Sequence, residues 1–237
     1  MIDVCYPLGK GSKHNNMELL YSLRSVEKHL KGVGKVFIIG ERPSFLNDQI
    51  IHIHQPIVTG NAAHNIAMNL LAACKDVRLS ETFIYLNDDY FLTTDIEPER
   101  FLPYYKCNLS KTYQINVTDY RKHVKATMDT LTAQGHGTLN FDCHYPTIFQ
   151  KDKLTSIIEA NNFARPFGLI LKSLYFNSLG EKGIHRLDCK QMQIKRLEQW
   201  RDYVKTTECF SIADTCINQI FKDFMAETYP EKSRWEI

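Results

Sequence analysis

Thr82-Phe83-Ile84-Tyr85-Leu86-Asn87-Asp88-Asp89 decides the fold. Five apolar, aromatic or β-branched residues end on an amide and two carboxylates, so residues 82–86 read as a short buried strand with its acids at the carboxyl end. In an open α/β sheet, ligands sit beyond the carboxyl ends of the strands, because the loops there vary while the sheet stays rigid. Asp88 and Asp89 are thereby placed at a candidate site. Two adjacent carboxylates beside an apolar strand repel each other and are costly to desolvate without a cation or a basic partner. Hard oxygen ligands suit magnesium or manganese, which can also bridge two phosphates. The same tripeptide also suits an Asx turn or a helix N-cap.

Working outward toward the amino end, residues 61–73 (Asn-Ala-Ala-His-Asn-Ile-Ala-Met-Asn-Leu-Leu-Ala-Ala) are alanine-rich and helical in pattern, with Thr59 or Asn61 as the cap. A strand is expected at 49–54, and another at 33–39 ending in Gly40. Residues 17–30 carry Leu19, Leu20, Leu23, Val26 and Leu30 at helical spacing. Residues 2–6 form a first apolar strand running into a loop with Pro7, Gly9 and Gly11. This β-loop-α-β order favours a mostly parallel sheet with right-handed crossovers and helices on both faces.

Toward the carboxyl end the alternation becomes irregular. Helices are expected at 98–104, 118–132, 151–161, 191–205 and 214–228, with short strands at 113–117 and 209–212. Residues 1–237 read as a single domain, with 1–95 as one half and 96–237 as a more helical half on the same sheet.

Composition narrows the function classes. Hydrophobic residues make up 43% and charged residues 24% of the 237, an ordinary globular balance. With 29 basic against 27 acidic residues spread along the chain, no basic arm points to nucleic acid. The densest basic stretch, 190–201, is interleaved with Met192, Ile194, Leu197 and Trp200 and reads as a solvated helix face. Seven cysteines without a CxxC pair suggest neither a zinc knuckle nor a disulfide framework. With no charged leader before the first strand and no apolar run of membrane-spanning length, the expectation is a soluble cytoplasmic protein with at most a peripheral membrane contact.

Other residues can carry chemistry. His144, in Asp142-Cys143-His144-Tyr145-Pro146, could take a proton from an attacking hydroxyl, although a histidine in that setting also suits a packed structural role. Arg165 and the pair His185-Arg186 could meet phosphate charge, against a bland reading as surface residues.

Several segments taken together resemble the Stealth family of sugar-phosphate transferases, which make capsular polysaccharide in bacteria and tag lysosomal enzymes in animals. The opening run Ile2-Asp3-Val4-Cys5-Tyr6 with Gly11-Ser12 is similar to the family's first block. Glu18-Leu19-Leu20-Tyr21-Ser22-Leu23-Arg24-Ser25-Val26-Glu27 is similar to the start of its second block, Pro43-Ser44-Phe45-Leu46 to a later part of it, and Phe83 to Asp89 to its acidic end. Asn61 and His64 fall where that block enters a helix. His144 and Pro146 carry the third block, and Phe210 to Asp214, Phe224, Tyr229-Pro230-Glu231-Lys232-Ser233 and Trp235-Glu236 the fourth. Lys10 stands where the family shows an aspartate, and Pro7-Leu8 where it shows Thr-Trp.

The resemblance implies a GT-A-like, Rossmann-like nucleotide-sugar transferase fold with an acceptor-side half, a divalent metal, a nucleotide diphospho-sugar donor and a sugar or polysaccharide acceptor. In that reading Asp88 and Asp89 hold the metal, and Asp3, Tyr6, Gly11, Ser12, Arg24, Arg42, Asn61, His64 and Asn87 surround the donor. His144 is the base, with Asp89 and Arg165 completing the catalytic set. The implied reaction transfers a sugar 1-phosphate to a sugar hydroxyl. Two alternatives stay open: a conventional glycosyltransferase on the same fold, and a sugar-binding protein without catalysis.

Overall fold

The computed structural model describes every residue except 11, 58–60, 114–117 and 193. The chain begins with β1 (Ile2–Leu8), α1 (Met17–His29), β2 (Val33–Gly40), β3 (Ile51–Ile53), α2 (Ala62–Lys75) and β4 (Thr82–Tyr85). β1, β2, β3 and β4 pair in parallel. β1 continues through Pro7 to Leu8, two residues beyond the expected end, with Pro7 opposite Ile39. Its register with β4 stops at Cys5, so Pro7, which has no N–H to give, lies beyond that ladder.

The next elements are β5 (Tyr90–Leu92), β6 (Tyr104–Tyr105), β7 (Cys107–Asn108), α3 (Leu109–Tyr113), α4 (Asp119–Ala133), β8 (Leu139–Asn140), β9 (Thr147–Gln150), α5 (Lys151–Ala160) and α6 (Leu171–Ser178). The chain closes with β10 (Ile184–His185), β11 (Lys190–Gln191), α7 (Leu197–Val204), β12 (Cys209–Ile212) and α8 (Gln219–Thr228). β9 adds antiparallel to β4, which gives a central sheet of order β3-β2-β1-β4-β9. A smaller sheet, β11-β12-β5, stands beside it.

The period of two sorts the central sheet's side chains. Cys5, Phe37, Ile39, Phe83 and Tyr85 pack on one face with Ala67, Leu70 and Cys74 of α2, Leu154 of α5 and Leu174 of α6. Val4, Tyr6, Leu8, Ile38 and Ile84 pack on the other with Leu19, Leu23 and Val26 of α1. A third cluster joins Phe91 and Phe210 of the smaller sheet to Trp200 of α7 and Phe221 and Phe224 of α8. The expectation of a mostly parallel sheet with helices on both faces is met.

Several expected elements differ. The helix expected at 98–104 is a single 3-10 turn, Pro98–Arg100, after which the chain turns extended into β6. Pro103 accounts for this, since it denies the residue before it the helical conformation and offers no N–H. The helix expected from 191 starts at Leu197, because Lys190 and Gln191 are instead paired with Ser211 and Ile212 as β11. Residues 214–216 form a 3-10 turn, and α8 begins only after Asn218, whose side chain caps the Phe221 N–H. Most of the strand expected at 113–117 lies outside the described residues, and Tyr113 itself ends α3. Thr59 also lies outside them; Asn61 caps α2 by accepting from the N–H groups of Ala63 and His64.

Candidate functional site

β1 runs to β2 and β3 on one side, while β4 lies on the other, so the chain reverses its direction across the sheet between β1 and β4. Crevices form at such points. Beyond the ends of these two strands opens a cleft of about 830 Å³. Lys10, Lys13 and Ser12 border it from the β1 loop, Ala62, Ile66 and Asn69 from α2, and Asn87, Asp88 and Asp89 from the end of β4. Lys190 and Ile212 of the smaller sheet, with Asp214 in the turn after it, close it.

The two aspartates differ. Asp89 accepts a hydrogen bond of 2.7 Å from Ser211 Oγ and lies 3.5 Å from Lys190 Nζ, so it ties the cleft floor to β12 and β11. Asp88 is half-buried. Burial, then the neighbouring Asp89 and Glu18, push its pKa up to about 7. Glu18 in turn accepts from Ser12 Oγ at 3.0 Å, and Ser12 also receives the Asn16 N–H at 2.9 Å, which folds the β1 loop onto the start of α1. A carboxyl that resists ionisation beside other acids is the electrostatic setting in which a divalent cation is welcome. Among the described residues no group of three or more His, Cys, Asp or Glu side chains could hold a metal ion. Two carboxylates with phosphate oxygens and water completing the shell is how magnesium is ordinarily bound, so Asp88 and Asp89 fit that ion.

A second cavity of about 190 Å³ shares Ala62, Ile66 and Asn87 with the first. Tyr85, Tyr90, Tyr120, Asp142, His144 and Lys172 line it. His144 Nδ1 is 2.9 Å from both oxygens of Asp188, and the His144 backbone N–H donates to the same carboxylate at 2.9 Å. A carboxylate only accepts, so Nδ1 carries the proton and Nε2 is left as the basic nitrogen. Burial raises the pKa of Asp188, but the His144 hydrogen bond and charge, with Lys106, outweigh it and hold the acid well below the usual carboxylate range.

Lys172 of α6 is buried, and burial lowers its pKa. Its Nζ donates to the carbonyls of Cys143 and Tyr145, the residues on either side of His144. Asp142 is drawn down too: burial pushes its carboxyl up, but Lys106, Lys172 and His144 more than reverse that. Its carboxylate accepts from Tyr120 at 2.8 Å. Asn87, at the junction of the two cavities, accepts from the Tyr85 hydroxyl at 2.5 Å.

The structure therefore gathers Ser12, Asn87, Asp88, Asp89 and His144 of the residues singled out in the sequence. Asn61 stands at the rim as the cap of α2, and its amide donates to the carbonyl of Arg165 at 3.3 Å. The Arg165 guanidinium itself donates to Thr130. His64 is buried within α2, and its Nδ1 has no hydrogen-bond partner among the described residues.

Four others are elsewhere. Asp3 is at the amino end of β1, the far end from the cleft, and its carboxylate is taken by the N–H groups of Lys35 and Ser80. Tyr6 is in the core, hydrogen-bonded to Ser22. Arg24 is bound to Glu236 at 2.7 Å, and Arg42 to Asp48 at 3.0 Å. Gly11 lies outside the described residues. Asp188, Lys172, Lys106 and Lys13 escaped the sequence reading, because nothing local marks a lysine or an aspartate that meets its partner only after folding; Asp142, two residues from His144, was the one within reach, and Lys190, read as part of a solvated helix face, lies instead on β11 at the cleft.

Residues 12–110 match the family model described as Stealth protein CR2, conserved region 2. A capsular polysaccharide phosphotransferase of Neisseria meningitidis serogroup B is 30% identical over 150 residues, which are 58% of this chain and 38% of that protein. The human N-acetylglucosamine-1-phosphotransferase subunits alpha/beta are 35% identical over 101 residues, 39% of this chain and 8% of theirs. The capsular polysaccharide phosphotransferase fcs1 of Haemophilus influenzae is 36% identical over 101 residues, 38% of this chain and 26% of its own. The matched regions thus span well under half the length of these curated relatives. The resemblance read from the residues is borne out.

Proposed function

We propose, for a chain that carries Stealth conserved region 2 over residues 12–110, that it transfers a sugar 1-phosphate from a nucleotide diphospho-sugar to a sugar hydroxyl, on a nucleotide-sugar transferase fold. One observation carries the reading: a carboxylate-floored cleft rimmed by lysines and a tyrosine-lined cavity holding His144, whose Nδ1 is bound by Asp188, share Asn87 as a common wall. The first suits a diphosphate and a divalent cation, the second a neutral hydroxyl and a base. The phosphotransferase names of the relatives agree with it.

Asp88 and Asp89 would hold magnesium or manganese, which when bound supplies positive charge against the diphosphate. Lys10, Lys13 and Lys190 meet the remaining phosphate charge. His144 Nε2 takes the proton of the acceptor hydroxyl, whose oxygen attacks the phosphorus bearing the sugar and expels a nucleoside monophosphate. Asp188 holds the ring in the tautomer this requires and stabilises the imidazolium that forms. Lys172 fixes the backbone on both sides of the base.

Chromatography of the nucleotide released from a panel of nucleotide sugars tests the reading. A nucleoside monophosphate is expected. A diphosphate would move the reaction to the anomeric carbon and make the enzyme a conventional glycosyltransferase, and no turnover with any donor and acceptor would leave a sugar-binding protein.

A further inference from the structure

Arg186, singled out in the sequence with His185 as a match for phosphate charge, lines neither cavity of the site above. It borders a third one, of about 560 Å³, walled by Thr94, Arg100, Tyr104, Lys205 and Glu208. β5 and β12 run antiparallel, with Tyr90 opposite Ser211 near Asp89 and Leu92 opposite Cys209 at the other end. The third cavity opens at that other end.

Arg186 is built in. Its backbone N–H donates to the Tyr105 carbonyl at 2.9 Å. Its guanidinium lies against two rings, 4.7 Å from the centre of Tyr104 and 4.5 Å from that of Tyr145. Glu208 is shared, one oxygen 2.5 Å from Arg100 Nη2 and the other 3.2 Å from Arg186 Nη2. A guanidinium carries five N–H donors, so one carboxylate between two of them leaves donors and positive charge in excess. Lys205, paired with Asp202 at 3.0 Å, adds a third cation at the rim. Tyr145 is buried beneath the guanidinium and helps to fix it, while Tyr104 lines the cavity, so a flat ring beside a fixed cation is offered to a sugar bearing an anionic group.

The chain ties this cavity to the base. Tyr145, which stacks on Arg186, is the residue after His144, and its hydroxyl donates to the carbonyl of Leu187, the residue before Asp188. We propose that the third cavity is a subsite for a phosphodiester of an extended glycan acceptor. The occupant's chemistry rests on the transferase reading, since a phosphodiester-linked sugar is what that reaction makes.

Calorimetric titration of the full chain with two glucose units joined through a phosphodiester, beside the neutral disaccharide maltose, tests this. The wild type is expected to bind the charged compound more tightly. Arg100→Gln, at a side chain exposed enough to be replaced without loss of fold, should weaken that binding about five- to tenfold, the scale of one lost charge-assisted contact. Arg186→Lys, which keeps the charge and loses the fork, should also weaken it, and Glu208→Gln should tighten it. None of the three should change the affinity for magnesium with a nucleotide sugar, which is bound in the other cleft. Equal affinity for the two disaccharides, or an Arg100→Gln protein that binds like the wild type, would overturn the subsite. Binding to phosphatidylglycerol vesicles that the phosphodiester compound fails to compete would make this face, which also exposes Leu102, Ile184 and Leu187, a membrane contact instead. A diphosphate product in the nucleotide assay would sink the reaction while these titrations still decided whether an anion is held here.

Discussion

Asp88 is more easily accommodated protonated than ionised. Its folded pKa of about 7 lies above the ordinary 3.8, so the stability it contributes is present below the ordinary value and lost as pH rises through about 7. Asp88→Asn is therefore expected to melt like the wild type at pH 4 and at a higher temperature at pH 8 in a chelator. Three pKa units set a ceiling of about 4 kcal/mol, which water in the cleft reduces to about 1–2 kcal/mol. Magnesium should narrow the gap by neutralising the wild-type pair; thermal melts at both pH values, with and without the ion, check each step. At the second cavity, His144→Ala and Asp188→Asn are each expected to lower the turnover rate by roughly two to four orders of magnitude while changing donor affinity little. The amide introduced by Asp188→Asn would offer a donor where Nδ1–H needs an acceptor. If the two act as a unit, the double variant is no slower than His144→Ala alone, which single-turnover kinetics would reveal.

At the scale of elements, the cleft depends on where β1 and β2 end together. Gly40 has φ of +110°, and a Cβ there would meet the Leu8 carbonyl at 2.1 Å. Only glycine allows the last pair, Leu8 opposite Gly40, to close, and Leu8 leads into the loop that carries Lys10 and Ser12. Gly40→Ala should cost about 2–4 kcal/mol in chemical denaturation and weaken donor binding at the same time. A variant of normal stability would show that the strand ends can separate without harm. β5 and β12 matter for a different reason. Asp89 directly precedes β5 and its partner Ser211 lies on β12, so this carboxylate of the cleft floor is held by a ladder between residues more than a hundred apart.

On the scale of the whole molecule, the carboxyl-terminal segment is fastened to the amino-terminal half. The Arg24 guanidinium makes a two-pronged contact with Glu236 and also donates to the Tyr229 carbonyl, and the Asn47 N–H donates to the Trp235 carbonyl. Both partners of the ion pair are largely shielded from water, so Arg24→Ala, which leaves the Glu236 charge only its hydrogen bonds from Ser233, should cost about 3 kcal/mol. A melting temperature within a degree of the wild type would show that the segment is held by packing alone. The seven cysteines are free and all but Cys107 are buried. Burial pushes Cys74 up to about 11 and Cys143 up to about 12. A thiol reagent is therefore expected to modify Cys107 rapidly in the native protein and all seven after denaturation without reductant, and a reproducible shortfall in the second count would mean a disulfide.

How much of this was legible follows from what local sequence encodes. Period-two and helical spacing placed β1, α1, β2, α2 and β4, and the acids after Leu86 located the cleft, because strand direction alone puts Asn87, Asp88 and Asp89 at a carboxyl end. The order of the strands across the sheet, the antiparallel β9 and the pairing of Lys190 with Ser211 were not legible, since backbone ladders form between residues whose separation leaves no periodic trace. For the same reason His144 was a candidate from its own segment, while its tautomer was decided by Asp188, forty-four residues away. Arg24 and Asp3 show the converse. As charges in motif-bearing segments they pointed to the donor, and folding placed them away from the cleft, Arg24 on Glu236 and Asp3 on the N–H groups of Lys35 and Ser80, where neither reaches a ligand in the cleft. Sequence determined which residues could do chemistry; tertiary structure decided which were already occupied.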